Sequence, residues 1–520
     1  MNGLDPRVGE ALARLPEFLG GHVVVSVAAL VLGLLTSFPL ALLARERPRL
    51  RQILLAFASV MQTIPGLALL ALFYPLLLAA SALTANIFGF SFSAFGLLPS
   101  MLALALYSML PVLRNTVTGL AGIDPAVKEA ALGVGMTPAQ SLLMVELPLA
   151  LPVIMAGIRT AAVWVIGTAT LSTPIGQTSL GNYIFTGLQT QNWVFVLFGC
   201  VAAAALALLV DQSLALIENG LRGRDRRRVI AGGTALALIV LSALIPAALH
   251  ARPTTVVGAK TFTEQYILAE LIDQRLQASG LSVTTRTGLG SSVILNALAA
   301  GEIDVYVDYT GTLWANQMHR TDIRPREEVL AALRTWLSDT YGIKLLGGLG
   351  FENAYVLAMR RDYAAAHGIR TIADLAKFAP GLSIAGDYEF FARPEWAAIR
   401  QAYNLNFRQQ REMQPEFMYP ALTTREVEVI SAYSSDGQIS KYNLLVLDDP
   451  KHAIPPYDAV VLISPRRADD AGLAAALQPL IGAIDVNLMR EANLRANEGG
   501  ASPRSVAQWL WDTISAKRRP

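Results

Sequence analysis

The sequence predicts a helical membrane domain followed by a two-lobed α/β domain. Three observations carry this. Residues 1–250 hold 14 Lys and Arg with 10 Asp and Glu, whereas residues 251–520 hold 28 and 30. Six apolar stretches of about 20 residues, the length that crosses a hydrocarbon layer, all fall in the first half. The second half alternates short apolar runs with helical patterns, as α/β layering does. The whole chain is 53% hydrophobic and 16% charged, too apolar for a wholly soluble protein and too charged for a wholly membrane one. At 520 residues it also exceeds one ordinary core.

Residues 8–20 read as an amphipathic helix along the membrane surface. The apolar stretches follow at roughly 22–44, 53–79, 95–113, 150–172, 193–217 and 229–249. Arg45, Arg47, Arg49 and Arg51 follow the first stretch, Arg114 and Lys128 the third, and Arg222, Arg224, Arg226, Arg227 and Arg228 the fifth. The alternate loops, 80–94 and 173–192, carry no charge. The positive-inside rule then puts the N-terminus and residues 251–520 outside. The last stretch, behind Arg226–Arg228, has the look of a secretory signal but sits in a multi-span chain. It reads as an uncleaved anchor, with cleavage near Ala251 as the alternative. The expected division is 1–228 for the spans, 229–253 for the sixth span and tether, and 254–520 for the outer domain.

Between the third and fourth stretches the chain reads Glu129-Ala130-Ala131, three residues, Gly135, nine residues, Val145, one residue, Leu147-Pro148. Physically this is a short helix, a glycine break and a second helix stopped by a proline, a shape suited to a groove on another protein. The spacing resembles the EAA signature of ABC-importer permeases, with Val for Ile. AYSMLPVLRNTVTGLAGIDPAVKEAALGVGMTPAQ, VELPLALPVIMAGIRTA and QTIPGLALLALFYPLL look like permeases of osmoprotectant and quaternary-amine importers. The family's glycine-rich IGAGGLG is here Ile175-Gly176-Gln177-Thr178-Ser179-Leu180-Gly181. No G-x4-GK[ST] phosphate loop occurs in the chain, so an ATPase has to be a separate subunit.

In the second half, 256–259, 281–285, 304–308, 343–346, 382–385, 427–431 and 444–447 read as strands; 263–279, 291–300 and 326–340 read as helices. Crossings near 350–358 and 453–463 divide it into lobe 1, about 254–352 and 460–520, and lobe 2, about 353–459. GAKTFTEQYILAELI, DVYVDYTGT, AYSSDGQI and PPYDAVVLIS resemble binding proteins for glycine betaine, choline and related compounds. The combined resemblance implies an all-α permease domain of the ABC-importer type with six spans and an EAA loop, followed by a two-lobed periplasmic-binding-protein domain.

Of 15 tyrosines, 12 follow residue 250. A quaternary ammonium has no N–H, so aromatic faces rather than hydrogen bonds recognise it. Tyr309 and Tyr433 end expected strands and Tyr355 sits at a crossing. The resemblance places these three on cage positions, and Gln265, Thr312 and Asn353 on polar contacts. Phe390 or Trp396 supplies a fourth aromatic, from a segment (389–396) shorter than the family's. Thr310 and Ser434 complete the ligand set. Asp308 is either a cage counter-ion or a cap before Thr310-Gly311, and Arg393 either clamps a carboxylate or makes an ordinary ion pair. The expected ligand is glycine betaine, choline, carnitine or a similar betaine, with ergothioneine as the alternative. Glu129, Ala130, Ala131, Gly135, Leu147 and Pro148 are the expected contact with the ATPase.

The resemblance implies two copies of this chain with two ATPases in the lipid of the cytoplasmic membrane, and residues 254–520 in the periplasm or outside the cell. A net charge of +2 without a basic patch gives no case for nucleic acid. The single cysteine, Cys200, and five scattered histidines give none for a metal or other cofactor. A membrane-anchored ligand sensor is the reading from another class; six spans and an EAA loop argue against it. An enzyme lacks a nucleophile–base–acid set.

Overall fold

The computed structural model describes residues 6–90, 92–190, 192–249, 254–320, 322–413, 415–497 and 501–518. They form two compact units, one helical and drawn mostly from residues before 250, the other α/β and drawn mostly from residues after 253. A cleavage site near Ala251 lies outside the described residues.

The helical unit opens with α1, Pro6–Ala44. The expected surface helix over 8–20 is therefore continuous with the first span. Gly20 and Gly21 do not break the helix; they let it approach its neighbours. A Cβ on Gly20 would lie 3.1 Å from the Ala243 carbonyl oxygen, and one on Gly21 would run into the Thr178 carbonyl.

The second expected span is two helices, α2 (Pro48–Thr63) and α3 (Gly66–Phe88). They part at Ile64, which takes extended backbone because Pro65 disfavours the helical region for the residue before it. The Tyr107 hydroxyl donates to the Ile64 carbonyl freed there. Then come α4 (Leu97–Ala121), α5 (Pro125–Gly133), α6 (Pro138–Ser141), α7 (Leu147–Ala169), α8 (Gly181–Gln189), α9 (Trp193–Arg222) and α10 (Arg226–Leu249). Among the described residues, five helical runs are long and apolar enough to cross a membrane: α1, α3, α4, the run 138–175 and α9. α10 covers the sixth expected stretch and packs on α9 through Gly232, where a Cβ would lie 2.5 Å from the Ser213 carbonyl oxygen.

One cationic side chain inside this bundle is paired twice over. Arg159 on α7 holds Asp211 on α9 with two hydrogen bonds of 2.9 Å, and its third nitrogen holds Glu218 at 2.9 Å. Ionisable groups inside spanning helices take such partners because an unpaired charge there is costly.

The α/β unit contains two five-stranded sheets. Its strands are β1 (Thr255–Lys260), β2 (Val283–Leu289), β3 (Val305–Tyr309), β4 (Lys344–Glu352), β5 (Tyr355–Arg360), β6 (Ser383–Gly386), β7 (Gln409–Glu412), β8 (Val429–Tyr433), β9 (Leu444–Val446) and β10 (Asp458–Ile463). The first sheet runs β2-β1-β3-β10-β4 and the second β7-β6-β8-β5-β9. The chain passes from the first to the second at residues 353–354 and returns over 447–457. The return thus ends earlier than the sequence suggested, because 458–463 is a strand. β10 lies between β3 and β4 and runs antiparallel to both. Its Ala459–Ile463 run is entirely buried, as in a central strand covered on both faces.

Candidate ligand site and coupling segment

The α/β unit's aromatic residues meet where the sheets exchange the chain. Tyr355 opens β5 and pairs in register with Tyr433 at the end of β8. Their ring centroids are 4.8 Å apart and their hydroxyls 2.9 Å apart. Phe390, fully buried, lies 5.3 Å from Tyr355 and 5.2 Å from Trp396. Its place is fixed by Asp387, which accepts the Phe390 N–H at 2.6 Å and caps the short helix Tyr388–Ala392. The Arg393 guanidinium stands 5.3 Å from the Tyr355 ring centre and 3.9 Å from Glu395. Tyr457, in the return segment, meets Tyr355 edge-on at 6.1 Å and donates its hydroxyl to Glu395.

Tyr309 belongs to a neighbouring polar network. Its hydroxyl donates to Glu264 at 2.5 Å and accepts from Gln265 at 3.1 Å; its ring packs 5.9 Å from Phe262. Glu264 also accepts from the side-chain amides of Asn353 at 3.1 Å and Asn493 at 3.0 Å. Burial pushes the Glu264 carboxyl above the ordinary glutamate range, against hydrogen bonds from Ser435, Tyr309 and Asn493 that pull it down. Gln265 spends its amide on the Val307 carbonyl and its oxygen on the Lys260 N–H.

Asp308 is committed within the protein. It pairs with buried Lys260, accepts the Tyr306 hydroxyl at 2.6 Å and caps the Tyr309 N–H at 2.7 Å. Thr310 donates to the Pro456 carbonyl and accepts from the Asp458 N–H, holding the return segment. Thr312 is buried two residues on. Ser434 exchanges backbone and side-chain hydrogen bonds with Ala354 and donates to the Glu352 carbonyl, so it straps the first crossing.

The geometry thus brings Tyr355, Tyr433, Phe390, Trp396 and Arg393 together. It sets Tyr309, Gln265 and Asn353 around Glu264, and gives Asp308, Thr310 and Ser434 framework bonds. Glu264, Glu395 and Tyr457 were missed in the sequence. Tyr457 carried a readable signal, since it too borders a strand.

In the helical unit, Asp124 caps α5 by accepting the Ala126 N–H at 2.9 Å. Ala131 is buried while Glu129 and Ala130 are exposed, beside exposed Leu132 and Val134. Gly135 makes the turn with φ of 84°, a left-handed value that favours glycine. Thr137 and Gln140 then form a reciprocal cap on α6. Pro148 does not stop the second helix, as the sequence suggested. A π-helical turn over Leu142–Glu146 joins α6 to α7, with the Leu147 N–H reaching back five residues to Leu142. That wider turn accommodates a proline, which donates no hydrogen bond.

Two family profiles match the chain. Residues 253–512 match the substrate binding domain of ABC-type glycine betaine transport system. Residues 29–223 match the binding-protein-dependent transport system inner membrane component. The choline transport system permease protein of Bacillus subtilis is 38% identical over 226 residues, 44% of this chain and 95% of that protein. The chain belongs to the osmoprotectant family of ABC importers. The ergothioneine transport permease/ergothioneine binding protein of Helicobacter pylori aligns over 475 residues at 28% identity, 88% of this chain and 83% of that one. The carnitine transport binding protein of Listeria monocytogenes is 29% identical over 263 residues, 49% of this chain and 85% of its own. The importer subunit therefore joins a permease to its substrate-binding domain in one multi-pass membrane chain. In this family the ATPase is a separate subunit and the ligand a small molecule.

Proposed function

We propose that this subunit imports a betaine-type quaternary ammonium compound. The observation that carries the reading is the aromatic cluster of Tyr355, Tyr433, Phe390 and Tyr457, with Arg393 beside it. Ring faces attract a trimethylammonium, and a guanidinium suits the carboxylate of a betaine. Ligand closes the two lobes, and the closed domain docks on the outer face of the permease. The loop charges support a cytoplasmic position for α5 and an extracytoplasmic one for residues 254–520. Two copies of the chain form the pathway within membrane lipid, each with an ATPase against Glu129–Gly135. Domain limits of 1–228, 229–253 and 254–520 go with this arrangement.

The second reading is ergothioneine, itself a betaine. It is favoured by the fused Helicobacter pylori relative, which aligns over 88% of this chain and is named for that compound. The test is uptake of labelled glycine betaine, choline and ergothioneine by cells that lack their own carriers and express this chain with its ATPase. Uptake of none of them would remove the reading.

A further inference from the structure

Tyr457 bonds to two residues, Glu395 and Asn353, each of which has a buried acceptor without a donor among the described residues. Its hydroxyl binds Glu395 Oε1, and its backbone carbonyl accepts the Asn353 N–H at 3.0 Å. Glu395 is 3% exposed, yet its second oxygen, Oε2, has no hydrogen-bond partner among the described residues. Asn353 is 7% exposed, and its Oδ1 is likewise buried without a donor. A buried acceptor left unmatched costs about 1–3 kcal/mol, and more when it is charged. Native structures keep few such atoms, and each asks for a cause. A framework role accounts for Oε1, which takes Tyr457 and faces Arg393 at 3.9 Å. It does not account for Oε2.

Glycine betaine offers no N–H or O–H at all. It suits the rings of Tyr355 and Tyr433 but leaves both acceptors as they are. A betaine that carries an imidazole-type ring brings an N–H and a flat surface together. The flat surface suits the aromatic cluster of Tyr355, Phe390 and Trp396, whose rings already pack on one another at 5.2–5.3 Å, by adding one more ring contact at its edge. A carboxylate takes such an N–H in a charge-assisted hydrogen bond. We infer that Glu395 is a specificity-determining residue, receiving a ring N–H on Oε2 and so selecting betaines that bear a heteroaromatic N–H over glycine betaine. This assignment rests on the aromatic cluster being the ligand site.

The test is calorimetric titration of the full-length chain in lipid nanodiscs with glycine betaine, choline and ergothioneine. Wild type binds ergothioneine more tightly than glycine betaine. E395Q weakens ergothioneine about tenfold or more, and clearly more than it weakens glycine betaine. E395D keeps the charge but retracts both oxygens, and gives the same selective loss should E395Q fail to fold. Equal losses for all three ligands in both Glu395 variants would make the residue framework and overturn the assignment. A choline loss as large as that for ergothioneine would show that a hydroxyl suffices, and overturn the ring N–H class. A wild type that binds choline and glycine betaine but not ergothioneine overturns the assignment and leaves the betaine reading standing. Binding of none of the three overturns the betaine reading itself, and this assignment with it.

Discussion

Tyr355 and Tyr433 face each other across the β5–β8 pair, hydroxyl to hydroxyl at 2.9 Å and ring to ring at 4.8 Å. The pair is held twice, by strand register and by its own hydrogen bond. Replacing either residue with Ala is expected to cost about 1–2 kcal/mol of ligand binding, roughly tenfold. Phe keeps the ring face and loses the hydroxyl bond, so it costs less. Leu keeps bulk without the quadrupole and tracks Ala. Titration of the variants with glycine betaine decides this, since simple packing predicts Leu close to Phe.

The Glu264 carboxyl gives a pH prediction. Burial raises its folded value above the unfolded one, near 4.5. Between the two values the folded state binds more protons than the unfolded one, so stability falls as pH rises. Below the unfolded value both states are protonated and no difference remains. Melting curves of wild type against E264Q, taken upward from pH 4.5, should therefore show wild type losing ground to the variant as pH rises through the folded value. A constant gap across that window would mean that Glu264 is charged when folded and unfolded alike.

The same residues show what the sequence made legible. Strand boundaries put Tyr309 and Tyr433 at strand ends and Tyr355 at a crossing; that the three belong to one site came from the family resemblance. Lys260 and Asp308, by contrast, meet from β1 and β3, and nothing local to either announces the pair. Glu264 meets Asn493 across 229 positions, and Glu395 meets Tyr457 across 62. Such polar contacts are set by the fold rather than by spacing. Val356–Met359 and Ala459–Ile463 escaped as strands because they fell within or beside the stretches read as crossings, near 350–358 and 453–463, and a short continuous apolar run does not by itself tell a strand from a connection. The split at Ile64 was written in Pro65, but hydropathy alone ran straight over it.

Arg159 offers a test of the helical unit. Its side chain is 29% exposed, and those of Asp211 and Glu218 are 21% and 20%. Arg159→Met leaves two carboxylates among apolar helices and should destabilise by about 2 kcal/mol or more, less than a fully buried pair because of that exposure. Arg159→Lys keeps the charge but loses the two-pronged grip on Asp211, and falls between. Adding Asp211→Leu to Arg159→Met should recover part of the loss, since removing a whole pair costs less than breaking it. Thermal melts in detergent measure all three. A double variant no better than the single one would mean that the pairing carries little of the packing between α7 and α9.

Coupling gives the last prediction. Glu146, 4% exposed, lies 3.4 Å from Arg45 at the end of α1 and 3.8 Å from Lys128 on α5, and accepts the Ser141 hydroxyl at 3.3 Å. One carboxylate thus ties the first span, the α5 helix and the turn into α7. Gly135 holds a φ of 84° that proline, fixed near −65°, does not reach. Gly135→Pro should therefore unseat α5 and abolish uptake while ligand binding by the α/β unit stays as it was. Glu129→Lys reverses an exposed charge on the same helix and should do the same without disturbing the fold. Glu146→Gln keeps the shape and loses both ion pairs, so α5 remains but passes on less of its movement. Uptake per ATP hydrolysed, measured with the assembled importer, should drop for Glu146→Gln while ligand affinity does not. Normal uptake in Gly135→Pro and Glu129→Lys would mean that the ATPase engages the chain somewhere else.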